Sequence, residues 1–132
     1  MRALDTDVCI EILRGNRRVI QRRRETLDQV GTTWITAAEL YYGAAKSGDP
    51  DDKTLAVSEF LRTLEVLSID DEAARQFGRL KAELELSGQL LADADLFIGS
   101  ICLAREAVLV TGNLGHYSRI PGLNIEDWMR GP

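Results

Sequence analysis

The stretch RALDTDVCIEILRG, residues 2–15, decides the fold. Its first residues are short and apolar and read as a strand entering a core. At Thr6 the period changes. Val8, Cys9, Ile12 and Leu13 recur at helical spacing, and Gly15 ends the run. Thr6 is the expected N-cap of that helix. Asp5 therefore falls at the junction where a strand ends and a helix starts.

The same alternation continues outward. Asn16–Leu27 reads as a second, basic helix broken by Gly31. TWIT (33–36) reads as a strand, followed by a helix over Ala37–Lys46. SGDPDD (47–52) is a loop with a helix start inside it, and Thr54–Leu64 is helical. EVLSI (65–69) is a strand. Asp71–Leu86 is the longest helix, with Ala73, Phe77, Leu80 and Leu84 at three- and four-residue steps, and Gly88 closes it. Asp95–Arg105 is an apolar helix, AVLVT (107–111) a strand, and GLNIEDW (122–128) supplies a last short strand. Short strands, apolar on both faces and alternating with helices, predict an α/β fold: a short parallel β-sheet flanked by helices. In such sheets ligands bind beyond the carboxyl ends of the strands.

The chain has 132 residues, enough for one domain with one core over 1–132. No apolar run approaches the ~20 residues of a membrane span. Asp5 and Asp7 interrupt the place where the apolar core of a signal peptide would sit, so a cytoplasmic protein is expected, without membrane association. Cys9 and Cys102 each lie among apolar residues without metal-ligand spacing and read as buried small hydrophobes. With a single histidine, no histidine-built metal site is available. The net charge of −5 disfavours non-specific nucleic-acid binding. Against that total, Arg14, Arg17, Arg18, Arg22, Arg23 and Arg24 crowd into one segment. They form either a solvated helix face or a patch facing phosphate or a partner.

Several acids stand at element boundaries. Glu39 completes Thr36-Ala-Ala-Glu39, a capping-box sequence, and spacing alone favours that structural role. Asp93 and Asp95 open an apolar helix, where a helix dipole would favour them. Asp95 is followed at once by Leu96, Phe97 and Ile98, and Asp5 follows a core strand. A carboxylate in such surroundings needs a cation or several donors. Asp7 reads as exposed or as a local cap. If Asp5, Glu39 and Asp95 converge, a hard divalent ion with oxygen ligands, Mg²⁺ or Mn²⁺, supplies the missing charge. Such an ion acidifies a bound water and clamps a phosphoryl oxygen.

Four segments in order carry a resemblance: LDTDVCIEILRG, TAAELYYGAAKSG, GQLLADADLFIGSICLA and LVTGNLGHYSRIPGLNIEDW. Together they resemble the PIN domain, and in particular the VapC-type toxins of bacterial VapBC toxin–antitoxin pairs, over nearly the whole chain. The resemblance implies a parallel α/β sheet with acids gathered at one edge. It implies an Mg²⁺- or Mn²⁺-dependent endoribonuclease that cuts transfer, ribosomal or messenger RNA. It also implies a homodimer and a cognate VapB-type antitoxin that blocks the site, with a higher assembly between them. Asp5 and Asp95 match the family's metal ligands, Glu39 a third catalytic acid, and Asp93 an accessory one. Thr6 and Thr111 fall within matched motifs. Where many relatives carry another carboxylate, this chain has Asn113 and His116. Asn113 offers an amide oxygen without charge, and His116 is either a general acid or a surface loop residue. The arginine run gains a third reading, as a dock for an acidic antitoxin.

Two other classes compete. Asp5-Thr-Asp7 resembles the opening of aspartate-based phosphoryl-transfer enzymes, and the length suits a receiver domain. Both need a late lysine beside the acids, and the lysines are Lys46, Lys53 and Lys81. A catalytically weak PIN-like module that only binds RNA or antitoxin is the other alternative.

Overall fold

The computed structural model describes residues 1–130. Its elements run β1 (Arg2–Leu4), α1 (Thr6–Leu13), α2 (Arg17–Glu25), β2 (Val30–Thr33), α3 (Trp34–Ala45) and α4 (Pro50–Leu61). They continue with β3 (Glu65–Leu67), α5 (Asp71–Leu86), α6 (Asp93–Ala104), β4 (Val108–Val110), α7 (Leu114–Tyr117) and β5 (Ile125–Glu126). The five strands form one sheet in the order β3-β2-β1-β4-β5, and every described pairing is parallel.

Parallel strands need helical crossovers, which cover both faces. On one face Leu4, Val110 and Trp128 pack with Val8, Val19, Leu40 and Phe60 from α1 to α4. On the other, Ala3 and Leu109 pack with Leu80, Ile98, Cys102 and Tyr117 from α5 to α7. Both cysteines are free and buried, as expected. Among the described residues no helix is long and apolar enough to cross a membrane.

Several boundaries differ from expectation. TWIT is not a strand. The strand lies earlier, at Val30–Thr33, and includes Gly31, expected as a breaker. A Cβ at Gly31 would lie 2.5 Å from the Glu65 carbonyl oxygen and against the Met1 methyl, so only glycine lets β2 approach β3 this closely. Thr33 then caps α3 by accepting the Thr36 N–H, which puts Thr36 inside the helix and removes the Thr36–Glu39 capping box. Second, α4 starts at Pro50 and ends at Leu61, not Thr54–Leu64. Pro50 needs no N–H partner in a first turn, and Asp51 and Asp52 suit its positive end. Third, α1 is capped by Asp5, whose side chain accepts the Thr6 N–H, so Thr6 is not the cap. The basic helix also ends short, at Glu25, with Asn16 as its cap.

Candidate functional site

The strand order brings the carboxyl ends of β1 and β4 side by side at the centre of the sheet. The residue that follows β1 is Asp5, and the residue that follows β4 is Thr111. Thr111 Oγ1 donates to Asp5 Oδ2 at 2.8 Å, across 106 positions of chain. The Thr6 N–H donates to Asp5 Oδ1 at 2.8 Å. The Tyr117 hydroxyl lies 3.3 Å from Asp5 Oδ1 and 3.3 Å from Asp95 Oδ1, so these two carboxylate oxygens lie within twice that distance of each other.

Asp5 is 6% exposed, and no cation pairs with it among the described residues. Burial pushes its carboxyl up to about 6; the Thr111 and Thr6 donors oppose this, and the charges of Asp7 and Asp95 add to it. This is a buried acid short of positive charge, with a second acid beside it. The two carboxylates, with hydroxyls of Thr111 and Tyr117 beside them, offer oxygen ligands, the set that suits a hard divalent cation. Each carboxylate offers about four lone-pair sites. Two at Asp5 are taken by Thr6 and Thr111, and the single Tyr117 proton takes a third at most, so at least one stays open. Two at Asp95 face Tyr117 and His116. Asp5 and Asp95 together thus fit a divalent ion in chemistry and in the sites they leave open.

Glu39 stands apart from this pair. Its Oε1 accepts from Thr6 Oγ1 at 2.6 Å, and Thr6 Oγ1 also lies 3.1 Å from Thr36 Oγ1. Among the described residues no three acids, imidazoles or thiols close on one point, so the expected convergence of Asp5, Glu39 and Asp95 becomes a pair plus a neighbour held through Thr6. Asp93 turns away, with Oδ1 on Lys81 Nζ at 3.0 Å. Asn113, at the N-cap of α7, and His116, within it, join the site. His116 Nδ1 lies 2.9 Å from Asn113 Nδ2 and 3.3 Å from Asp95 Oδ2. The Asn113 N–H donates to Thr111 Oγ1 at 3.0 Å.

Two residues of this region escaped the sequence reading. Tyr117 sits in GHYS, which reads as a loop, yet it is fully buried. Burial, then the charges of Asp5 and Asp95, push its phenol well above the ordinary range. Asp7 is neither exposed nor only a local cap. Its Oδ2 accepts the Gly112 N–H at 2.9 Å while Oδ1 accepts the Val8 N–H at 2.7 Å, so it ties the turn after β4 to α1. Burial raises its carboxyl as well. The only available signal was the spacing of Asp5 and Asp7 on either side of a helix start.

The arginine run is largely engaged within the fold. Arg22 pairs with Glu126 at 3.6 Å, Arg23 donates to the Thr63 carbonyl at 2.9 Å, and Arg18 reaches the Met129 carbonyl at 3.5 Å. Arg14 pairs loosely with Glu11 at 3.7 Å. Arg17 and Arg24 have no such partner among the described residues. Beside Glu39 an open, mostly apolar groove of about 330 Å³ runs between α1, α3 and α4, with Arg14 and Lys53 in its lining.

A family model described as the PIN domain matches residues 2–123. "Ribonuclease VapC2" of Haemophilus influenzae is 32% identical over 96% of this chain and 96% of its own. "tRNA(fMet)-specific endonuclease VapC" of Salmonella typhimurium is 37% identical over 95% of this chain and 96% of its own. Among solved structures, DNA-bound VapBC from Salmonella typhimurium superposes with a TM-score of 0.91 at 36% identity, covering 96% of this chain and 97% of that one. VapBC2 from Rickettsia felis, bound to a DNA fragment from its promoter, gives 0.91 at 28% identity, covering 96% and 98%.

Proposed function

The chain belongs to the PIN domain family, alongside the VapC ribonucleases, and from that membership we propose that it is the RNA-cleaving toxin of a toxin–antitoxin pair whose single domain works with Mg²⁺ or Mn²⁺. The observation that carries this reading is the pair Asp5–Asp95, joined by one hydroxyl, with Asp5 buried and lacking a counter-charge. Asp5 and Asp95 are the residues that would hold the ion. When bound there, it supplies Lewis-acid polarisation of a phosphoryl oxygen and an acidified water.

The protein's own groups do the rest. Thr6, Thr111 and Tyr117 fix the Asp5 carboxylate by its two oxygens, so it has no reorganisation to make when RNA arrives. Glu39, exposed and held by Thr6, takes the proton of the attacking water. Asn113 and His116 flank the free side of Asp95 and present polar hydrogens to the scissile phosphate. Hydrolysis leaves a 5′-phosphate and a 3′-hydroxyl. Asp93, paired with Lys81, plays an accessory part at most in the charge balance at the rim.

Transfer RNA is the first substrate to test, because it is what the Salmonella relative's name specifies. The partner is a VapB-type antitoxin, whose segment seats in the apolar groove beside Glu39 and covers the site; Arg17 and Arg24 are free to meet its acidic residues. A second copy of the chain packs on the exposed side of α3, where Trp34 and Tyr42 are uncovered. The pair then assembles further with antitoxin.

Cleavage of a transfer-RNA pool with Mn²⁺ tests the proposal. It should stop in excess chelator and in Asp5→Asn and Asp95→Asn. Full activity in any of these would overturn it. One observation favours a second reading, a binding module with little catalysis: the three acids do not close on one point. Calorimetry decides, since absence of Mn²⁺ binding at millimolar metal supports the module.

A further inference from the structure

We propose that Tyr117 is a positioning residue, whose single hydroxyl spans Asp5 and Asp95 and fixes the gap into which a divalent cation fits. This rests on the metal reading above. The phenol oxygen stands at 3.3 Å from one oxygen of each carboxylate. Its ring is fully buried in the core on the α5–α7 side, beside Leu96 and Ile120. Its burial leaves the hydroxyl little freedom to swing away. A buried hydroxyl needs a partner, and the partners here are the two acids.

The consequence follows from charge and reach. Two neighbouring carboxylates repel, and each would otherwise relax outward. Asp5 is anchored at its other contacts by Thr6 and Thr111, which belong to its own side of the site. Among the described residues Asp95 has only His116 besides the phenol, through a ring that is partly exposed. Among the described residues Tyr117 is thus the one side chain that contacts both the carboxylate at the end of β1 and the one on α6. A phenol has one proton, so it serves the two oxygens in turn and holds both within reach without neutralising either. A site shaped in this way accepts an ion with little reordering, the usual role of groups that orient metal ligands.

The test combines two measurements on Tyr117→Phe, which keeps the buried ring. The first is a double-mutant cycle by urea unfolding in chelator, pairing Tyr117→Phe with Asp5→Asn and with Asp95→Asn. The midpoint lost in Tyr117→Phe should be smaller in each Asn background than in the parent. Additive losses would refute the bridge whatever the metal does. The second is Mn²⁺ calorimetry. Tyr117→Phe should bind Mn²⁺ about tenfold more weakly, with cleavage recovering toward the parent level as Mn²⁺ is raised. Equal Mn²⁺ affinity in parent and variant would refute the positioning role. A parent that binds no Mn²⁺ would refute the metal reading and its extension to Tyr117 together, with the cycle still reporting on the bridge.

Discussion

Replacing Asp5 by Asn should make the protein more stable while destroying its activity. The Asp5 carboxyl is pushed from the ordinary 3.8 up to about 6 by burial, with Asp7 and Asp95 adding to it. The folded chain therefore binds more protons than the unfolded chain between those two values, and stability falls as pH rises through that window. The Asp5 contribution is complete below about pH 4 and lost above about pH 6. At 1.36 kcal/mol per unit the ionised carboxylate costs about 3 kcal/mol at pH 7.5. Asn does not titrate. Its Oδ1 still accepts the Thr6 N–H, and Thr111, whose oxygen takes only the Asn113 N–H at present, can turn to accept from the amide. The net gain should be roughly 2–3 kcal/mol at pH 7.5, or a urea midpoint about 1–1.5 M higher. Urea titrations in chelator from pH 4.5 to 8, followed by Trp34 and Trp128 fluorescence, read it directly. The gain should shrink toward zero at the acid end. Mn²⁺ should then stabilise the parent and leave the variant unmoved. A variant no more stable than the parent at pH 7.5, or a difference flat with pH, would refute the account of Asp5.

Other outcomes are open to measurement. Thr111→Val removes a donor to an ionised buried acid and should lower stability by about 1.5–3 kcal/mol at pH 7.5; the loss should fade below pH 5, and a loss equal at both pH values would count against the Thr111–Asp5 bond. Thr33→Ala deletes the cap of α3 and should cost about 1 kcal/mol in urea unfolding, whereas Thr36→Ala should show no cap effect on the α3 amides in hydrogen exchange. Gly31→Ala forces β2 away from the Glu65 carbonyl and should cost about 1–3 kcal/mol; a neutral result would mean that β2 and β3 separate freely. Arg17→Glu with Arg24→Glu should weaken antitoxin binding more than tenfold at low salt while changing RNA cleavage less than twofold, and the opposite pattern would assign α2 to RNA.

Much of this was legible in the sequence, and the failures share a cause. Asp5 could be placed because RAL and VCIEIL differ in period, so the junction between them is visible. Asp95 could be placed because Leu96, Phe97 and Ile98 bury the helix it opens. The α/β class followed from strands too apolar to face water. What was missed depends on contacts between distant segments. Gly31 reads as a breaker unless one knows that the Glu65 backbone lies against it. Thr33 and Thr36 are equally good caps on paper, and the end of β2 decides between them. Tyr117 follows three residues of loop composition, and nothing local says that its ring is buried beneath two acids from elsewhere. Asp7 looks free until Gly112 arrives. The arginine run shows the converse: its charge is evident, but Glu126, Thr63 and Met129, which engage it, lie far along the chain.

The central position of β1 makes the candidate site depend on a pairing between distant segments. β1 lies at Arg2–Leu4 and its neighbour β4 at Val108–Val110, so the two meet only when the chain has been made at least that far. Until then Asp5 has neither Thr111 nor Tyr117, and Asp95 has no phenol to face. A chain cut short before β4 would hold acids but no site. The long-range pairing therefore works as a gate as well as a scaffold: the two acids are brought together only when segments far apart in the sequence have folded against each other.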